Sequence, residues 1–297
     1  MYALHAQRQT PCLVTTCWDA RPPSASRAFN AHSESIEASL RALGIQFSSS
    51  LEELLGSVDA VMVLTVDGKS HFDLAMNALA RGLPAFIDKP LTCSGAQAAS
   101  LLRFTRTDNA RCYSASALRF IDKLSDDTNN PPGRLVSIEA SGPLQEIASM
   151  PGLWYYACHT FELVDSLWPR AGGLRRIRAR LEESGHQIEL EYHDGRTAVI
   201  GLDRAGTAPF TAILRGEHSS FAFEAGLASS YDRLVASVCR FFAGSAPDFP
   251  LETTAETIMA IECAHRSLEE GGAWVPLDQG LDSDSQNQGF SVRKNST

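Results

Sequence analysis

The spacing of apolar residues changes character once along the chain. Before about residue 115, short apolar runs alternate with longer stretches of helical period. Cys12–Cys17 (CLVTTC), Val58–Thr65 (VDAVMVLT), Pro84–Ile87 and Ala110–Ser114 read as buried strands. Between them, Ser24–Leu43, His71–Arg81 and Ser94–Thr105 carry helical patterns, the first closed by Gly44 and the second by Gly82. Ser50-Leu51-Glu52-Glu53 reads as an N-cap and the opening of a short helix. Such alternation predicts a parallel sheet covered by helices, with its chemistry beyond the carboxyl ends of the strands. Asp19, Thr65 and Lys89 each stand at or just past such an end.

After about residue 116 the period becomes two. Leu135–Ala140, Ile177–Glu182, Gln187–Tyr192, Thr197–Asp203, Thr211–Arg215 and Ser220–Glu224 read as strands, and His193-Asp194-Gly195-Arg196 as a hairpin turn. Strands that follow one another without helices predict a mostly antiparallel sheet. Helices are expected over Cys158–Trp168, Ser230–Ala243 and Thr254–Glu270. From Asp278 onward the chain is polar and poor in aliphatics, the composition of a disordered tail. The expected organisation is a parallel α/β domain over 1–115, an α+β domain over 116–277, and the tail 278–297.

Composition narrows the function classes. With 297 residues, 44% of them apolar and 21% charged, the chain suits two globular domains. The net charge of −9 and the lack of a Lys/Arg block argue against nucleic-acid binding. Seven cysteines without a C-x-x-C pair suggest neither a disulfide framework nor a zinc site, and point to a reducing cytoplasm. No signal peptide and no membrane-length apolar run is visible, so no membrane partner is expected. Ser–His–Asp order, H-E-x-x-H, a Walker lysine, an EF-hand loop and G-x-G are all absent from the sequence.

Four residues have both a chemical and a bland reading. Asp19, at the end of a strand, is a ribose-binding acid or the start of a turn before Arg21-Pro22-Pro23. Lys89, held extended by Pro90, polarises a substrate hydroxyl or is a solvated surface lysine. His159 opens an apolar helical segment and is an acid/base group or a satisfied helix-start histidine. Arg119 binds an anionic or polyol substrate, or forms an ion pair at the domain junction. His71 reads as a loop residue or a helix cap, and His265 as structural.

Taken together, three stretches resemble the Gfo/Idh/MocA oxidoreductases: Ser50–Leu55 through Asp88-Lys89-Pro90-Leu91, Ala117-Leu118-Arg119-Phe120 with Gly133-Arg134-Leu135, and Ala264–Val275. The resemblance implies a Rossmann-like domain, lacking its first strand and Gly-rich loop, followed by an α+β domain with an open, mostly antiparallel sheet. It implies hydride transfer between NAD or NADP and a secondary alcohol of a sugar, polyol or related small molecule. Lys89 then matches the catalytic lysine, His159 the catalytic histidine and Asp19 the ribose acid. Thr65, His71 and Asp88 fall beside the cofactor, and Arg119 beside the substrate. Tyr155 stands where the family often has an aspartate four residues before its histidine. Homo-oligomers through the C-terminal sheet are a further implication. Three alternatives accompany the resemblance: a non-catalytic ligand- or partner-binding relative, an enzyme whose start was assigned at an internal methionine, and a redox-neutral enzyme.

Overall fold

The computed structural model describes residues 12–20, 27–121, 133–168, 173–226 and 228–277, with backbone alone at 27–32 and 228. In chain order come β1 (Thr16–Cys17), α1 (Arg27–Ala42), β2 (Gln46–Phe47), α2 (Leu51–Leu55), β3 (Val61–Val63), α3 (His71–Leu79), β4 (Ala85–Ile87), α4 (Gly95–Thr107) and β5 (Cys112–Ser114). Then follow β6 (Leu135–Pro143), α5 (Ala157–Leu167), β7 (Leu174–Glu182), β8 (Gly185–Tyr192), β9 (Thr197–Asp203), β10 (Thr211–Gly216), β11 (Ser220–Glu224), α6 (Ala228–Phe242), α7 (Leu251–Glu269) and β12 (Val275–Pro276).

The first part forms parallel pairs throughout: β1 with β2, and β3 with β4 with β5. β3 and β4 are short apolar runs because both faces of their sheet are covered. Ala75, Ala78 and Leu79 of α3 and Ala98, Leu101 and Leu102 of α4 pack on one face. On the other, Phe86 and Tyr113 meet Leu234, Val238 and Phe241 of α6. The helix read at Ser230–Ala243 therefore completes the first sheet, although its sequence lies in the second half. Only Thr16–Cys17 of the expected Cys12–Cys17 run is a strand, and Cys12 and Val14 instead pack on Val235 and Cys239. Ser24–Ser26 and the tail 278–297 lie outside the described residues.

The second sheet has seven strands in the order β11-β10-β6-β9-β8-β7-β12. All its pairs are antiparallel except β6 with β9. The β8–β9 hairpin turns where the sequence predicted: Gly195 has φ +84° and Asp194 accepts the Arg196 N–H. Alternation sends Ile138, Ala140, Ile177, Ala179, Ile188, Leu190, Ile200 and Leu214 into a core shared with α5 and α7. Opposite side chains form ion pairs such as Arg178–Glu189 and Arg215–Glu139. Helix α7 joins the two parts: Leu251, Ala255 and Ile258 belong to the first core, Met259, Ala260, Ile261 and Ala264 to the second. Among the described residues no helix is long and apolar enough to cross a membrane, and no three His, Cys, Asp or Glu side chains are grouped to hold a metal. None of the seven cysteines forms a disulfide.

Candidate active site

The carboxyl edge of the parallel sheet faces the start of α5, and the residues with chemistry converge there. Lys89 leaves β4 next to Asp88 and precedes a cis bond to Pro90. Its Nζ lies 3.4 Å from the Tyr155 carbonyl oxygen, and 4.6 Å and 5.2 Å from the ring centres of Tyr155 and Tyr156. An ammonium over two aromatic faces is attracted by their negative quadrupoles. Asp88 is half-buried and its Oδ1 accepts the Lys89 N–H at 2.8 Å. Burial pushes this carboxyl up, against the pull of the Lys89 N–H and ammonium.

Tyr155 ends the short 3₁₀ turn Gly152–Trp154. His265 of α7 fixes that turn: its Nε2 accepts the Leu153 N–H at 3.2 Å and its ring stacks on Trp154 at 5.3 Å. Gly152, at φ +65°, passes so close that a Cβ there would lie 2.5 Å from His265 Cε1. An acceptor role requires a deprotonated Nε2, and burial lowers the His265 pKa accordingly.

His159 sits in the first turn of α5, 8% exposed. Tyr156 meets it edge-on at 4.8 Å, Phe210 flanks it at 5.8 Å, and its Nδ1 is 2.7 Å from Ser116 Oγ. Burial, and after it the Lys89 charge, pushes its pKa down to about 3, so the ring is neutral near pH 7. Behind Ser116 lies a buried charge cluster. The Ser116 N–H and Arg119 Nε both donate to Glu162 Oε2, at 2.7 Å and 2.5 Å, and Arg119 also binds Asp165.

On the side expected to face a cofactor, Asp19 is exposed two residues beyond β1. The half-buried Thr65 and Ser70 hydroxyls lie 2.9 Å apart. His71 is fully buried and spans two loops: its Nδ1 is 2.7 Å from the Pro90 carbonyl oxygen and its Nε2 2.8 Å from that of Thr65. Its side chain ties the loop after β3 to the one after β4, while its backbone N–H caps the 3₁₀ turn Gly68–Ser70. An exposed acid past β1 and hydroxyls past β3 fit the ribose hydroxyls of a dinucleotide. Residues 1–11, on which the expected loss of the first strand and Gly-rich loop rests, lie outside the described residues.

The structure thus brings Lys89, Asp88, Tyr155 and His159 together, with Thr65 and His71 adjoining through Pro90. Asp19 stands apart on β1. Arg119 is 1% exposed and held by two carboxylates, the ion-pair alternative of the sequence. Sequence reasoning missed Ser116, Tyr156 and Glu162. It also missed Tyr231 of α6, which is 53% exposed and within electrostatic reach of Asp88, Tyr156 and Lys89. A signal for Glu162 existed: two acids, Glu162 and Asp165, stand at a spacing of three between the apolar residues Phe161, Leu163, Val164 and Leu167 of the helix.

Comparison with known proteins bears on the fold. Residues 6–116 match the GFO_IDH_MocA model, described as an oxidoreductase family with an NAD-binding Rossmann fold. No curated protein sequence matches the chain. Among solved structures, a myo-inositol dehydrogenase assignment from Sinorhizobium meliloti is similar at TM-score 0.72 and 15% identity, covering 93% of this chain and 94% of that one. The WlbA dehydrogenase from Bordetella pertussis, solved with NADH and UDP-GlcNAcA, is similar at TM-score 0.69 and 14% identity over 92% of each chain. Apo scyllo-inositol dehydrogenase from Lactobacillus casei is similar at TM-score 0.71 and 12% identity, over 92% and 94%. At these identities the likeness is one of fold.

Proposed function

We propose, for a chain whose first domain is of the Gfo/Idh/MocA NAD-binding type, that it transfers a hydride between NAD or NADP and a secondary alcohol carbon of a sugar, polyol or related small molecule. The observation that carries this reading is the meeting of Lys89 and His159 around Tyr156 at the carboxyl edge of the parallel sheet. Nicotinamide, when bound, accepts or donates the hydride. Asp19 would hold a ribose of that cofactor, and Thr65, His71 and Asp88 the loops beside it. The Lys89 ammonium offsets negative charge on the substrate oxygen. The neutral His159 ring takes or returns the hydroxyl proton. Tyr155 and Tyr156 wall the site and exclude water, and Arg119 serves from behind by holding Glu162. The outward face of the seven-stranded sheet would support a homo-oligomer.

The test is reduction of NAD and NADP by a panel of inositols and aldoses, with Lys89→Ala and His159→Ala compared at equal cofactor occupancy. Each should lower turnover on the order of a hundredfold. Near-normal turnover in His159→Ala, with loss in Tyr155→Phe, would move the proton path to the tyrosine. A second reading, a non-catalytic ligand- or partner-binding relative that has lost cofactor binding, is favoured by the Tyr155 carbonyl already engaging Lys89. Calorimetric titration with NADH separates the two: micromolar binding sinks the second reading, and no binding sinks the first for this chain.

A further inference from the structure

We propose that Ser116 is the positioning residue of His159 and allows the neutral ring to carry its proton on either nitrogen, with Glu162 and Arg119 holding that serine in place. The inference rests on the functional reading above for its catalytic meaning, but its geometry stands alone. Ser116 is 1% exposed and His159 8%, so water does not compete for the 2.7 Å contact between Oγ and Nδ1. The same Oγ accepts the Leu118 N–H at 3.1 Å, which sets the serine rotamer as the cap of the turn Ala117–Phe120. One hydroxyl proton and one lone pair remain. Oγ–H can donate to Nδ1, leaving the ring proton on Nε2, or a lone pair can accept from Nδ1–H, leaving Nε2 as the acceptor.

A carboxylate in this place would act differently. Being acceptor-only when ionised, it would hold the proton on Nδ1 and favour the imidazolium. The residue four before the histidine is Tyr155, whose ring faces Lys89 and whose carbonyl binds it. Oε2 of Glu162, the carboxylate behind Ser116, is engaged by the Ser116 N–H and by Arg119. Lys89 further discourages a second positive charge. His159 therefore rests as a neutral ring: with its proton on Nδ1, donated to the serine oxygen, the free Nε2 takes the hydroxyl proton when an alcohol is oxidised, and the transient imidazolium so formed returns that same proton when a carbonyl is reduced.

The experiment needs no substrate. In full-length protein with ¹⁵N-labelled histidine, the His159 signals are assigned by their loss in His159→Gln and followed with pH. Wild type should show both neutral tautomers and no protonation down to about pH 4. Ser116→Thr, which keeps the hydroxyl, should preserve that pattern. Ser116→Asp should move the ring to the Nδ1–H form and raise its titration midpoint by at least one pH unit. Ser116→Ala should change the tautomer ratio, and Ser116→Cys replaces it if the alanine protein does not fold. Unchanged His159 signals in folded Ser116→Ala or Ser116→Cys would overturn the proposal. So would a wild-type ring fixed in one tautomer. If turnover is found, Ser116→Ala should lower kcat about tenfold with KM unchanged, and Ser116→Thr should restore it. Absence of turnover in every protein would count against the dehydrogenase reading and leave the tautomer result to decide this one.

Discussion

The two sheets keep their charges in opposite places. The seven-stranded sheet buries one face and carries its ion pairs on the other, as in Arg215–Glu139, where both side chains are 47% exposed. The three-stranded parallel sheet is covered on both faces, and its charges gather at one edge, where Arg119 and Glu162 are 0% and 1% exposed. The same chemical pair thus has a different standing in each. In water a pair gains little, because solvent already served both charges. At the closed edge water cannot replace a lost partner, so removing Glu162 leaves the Arg119 charge with Asp165 alone.

That contrast is sharpest in substitution. Glu162→Ala should cost about 3–5 kcal/mol in denaturant unfolding, since it leaves Arg119 with Asp165 alone and frees the Ser116 N–H. A loss below about 1 kcal/mol would mean that the junction is wetter than its burial implies. The next effect is acid sensitivity. His159 is depressed to about 3 in the folded protein against 6.5 unfolded. Between those values the unfolded chain binds the extra proton, so stability is complete above about pH 6.5 and falls as the pH drops towards 3. The slope should reach about 1.4 kcal/mol per pH unit. His159→Gln should flatten it, as read from melting temperatures at pH 4 to 7.

Smaller effects probe the edges of the comparison. Gly152→Ala should cost about 1–3 kcal/mol, because the methyl would meet His265 and the backbone is left-handed there. It should also disturb Tyr155, and a matched loss of the Lys89 contact would register as a changed Lys89 side-chain NMR signal. Arg215→Ala, on the open face, should shift stability by no more than about 0.5 kcal/mol, and by less in high salt. An equal cost for Arg215→Ala and Glu162→Ala would break the contrast outright.

Legibility in the sequence follows the same division. The strands Thr197–Asp203 and Ser220–Glu224 coincide with their expected limits, because seven and five residues whose faces alternate in exposure display period two. Gln46–Phe47 went unread, since two residues have no period. Val58–Thr65 shrank to Val61–Val63, because apolar composition marks the buried run without marking where pairing stops. The assignment of α6 to the first sheet was not legible, for amphipathicity shows that a helix has a partner and not which one. Lys89 and His159 were singled out through a family resemblance and through position after a strand or at a helix start, and the structure sets both side chains against Tyr156. Ser116 was not, because its role depends on a ring 43 positions away in sequence.

The shared helix α7 has a consequence for the order of assembly. The core around Ala98 and Leu101 is closed by Leu251, Ala255 and Ile258, so its last side chains belong to the last helix described. A chain emerging from the ribosome therefore makes the whole parallel sheet long before it can finish it. Until α7 arrives, Ala98 and Leu101 lack part of their covering, a stretch of synthesis in which aggregation competes with folding. The contacts that complete the sheet span well over a hundred residues, and such closures slow folding because loop entropy is lost before the contact rewards it. Folding of the N-terminal part is thus timed by the arrival of the C-terminal part.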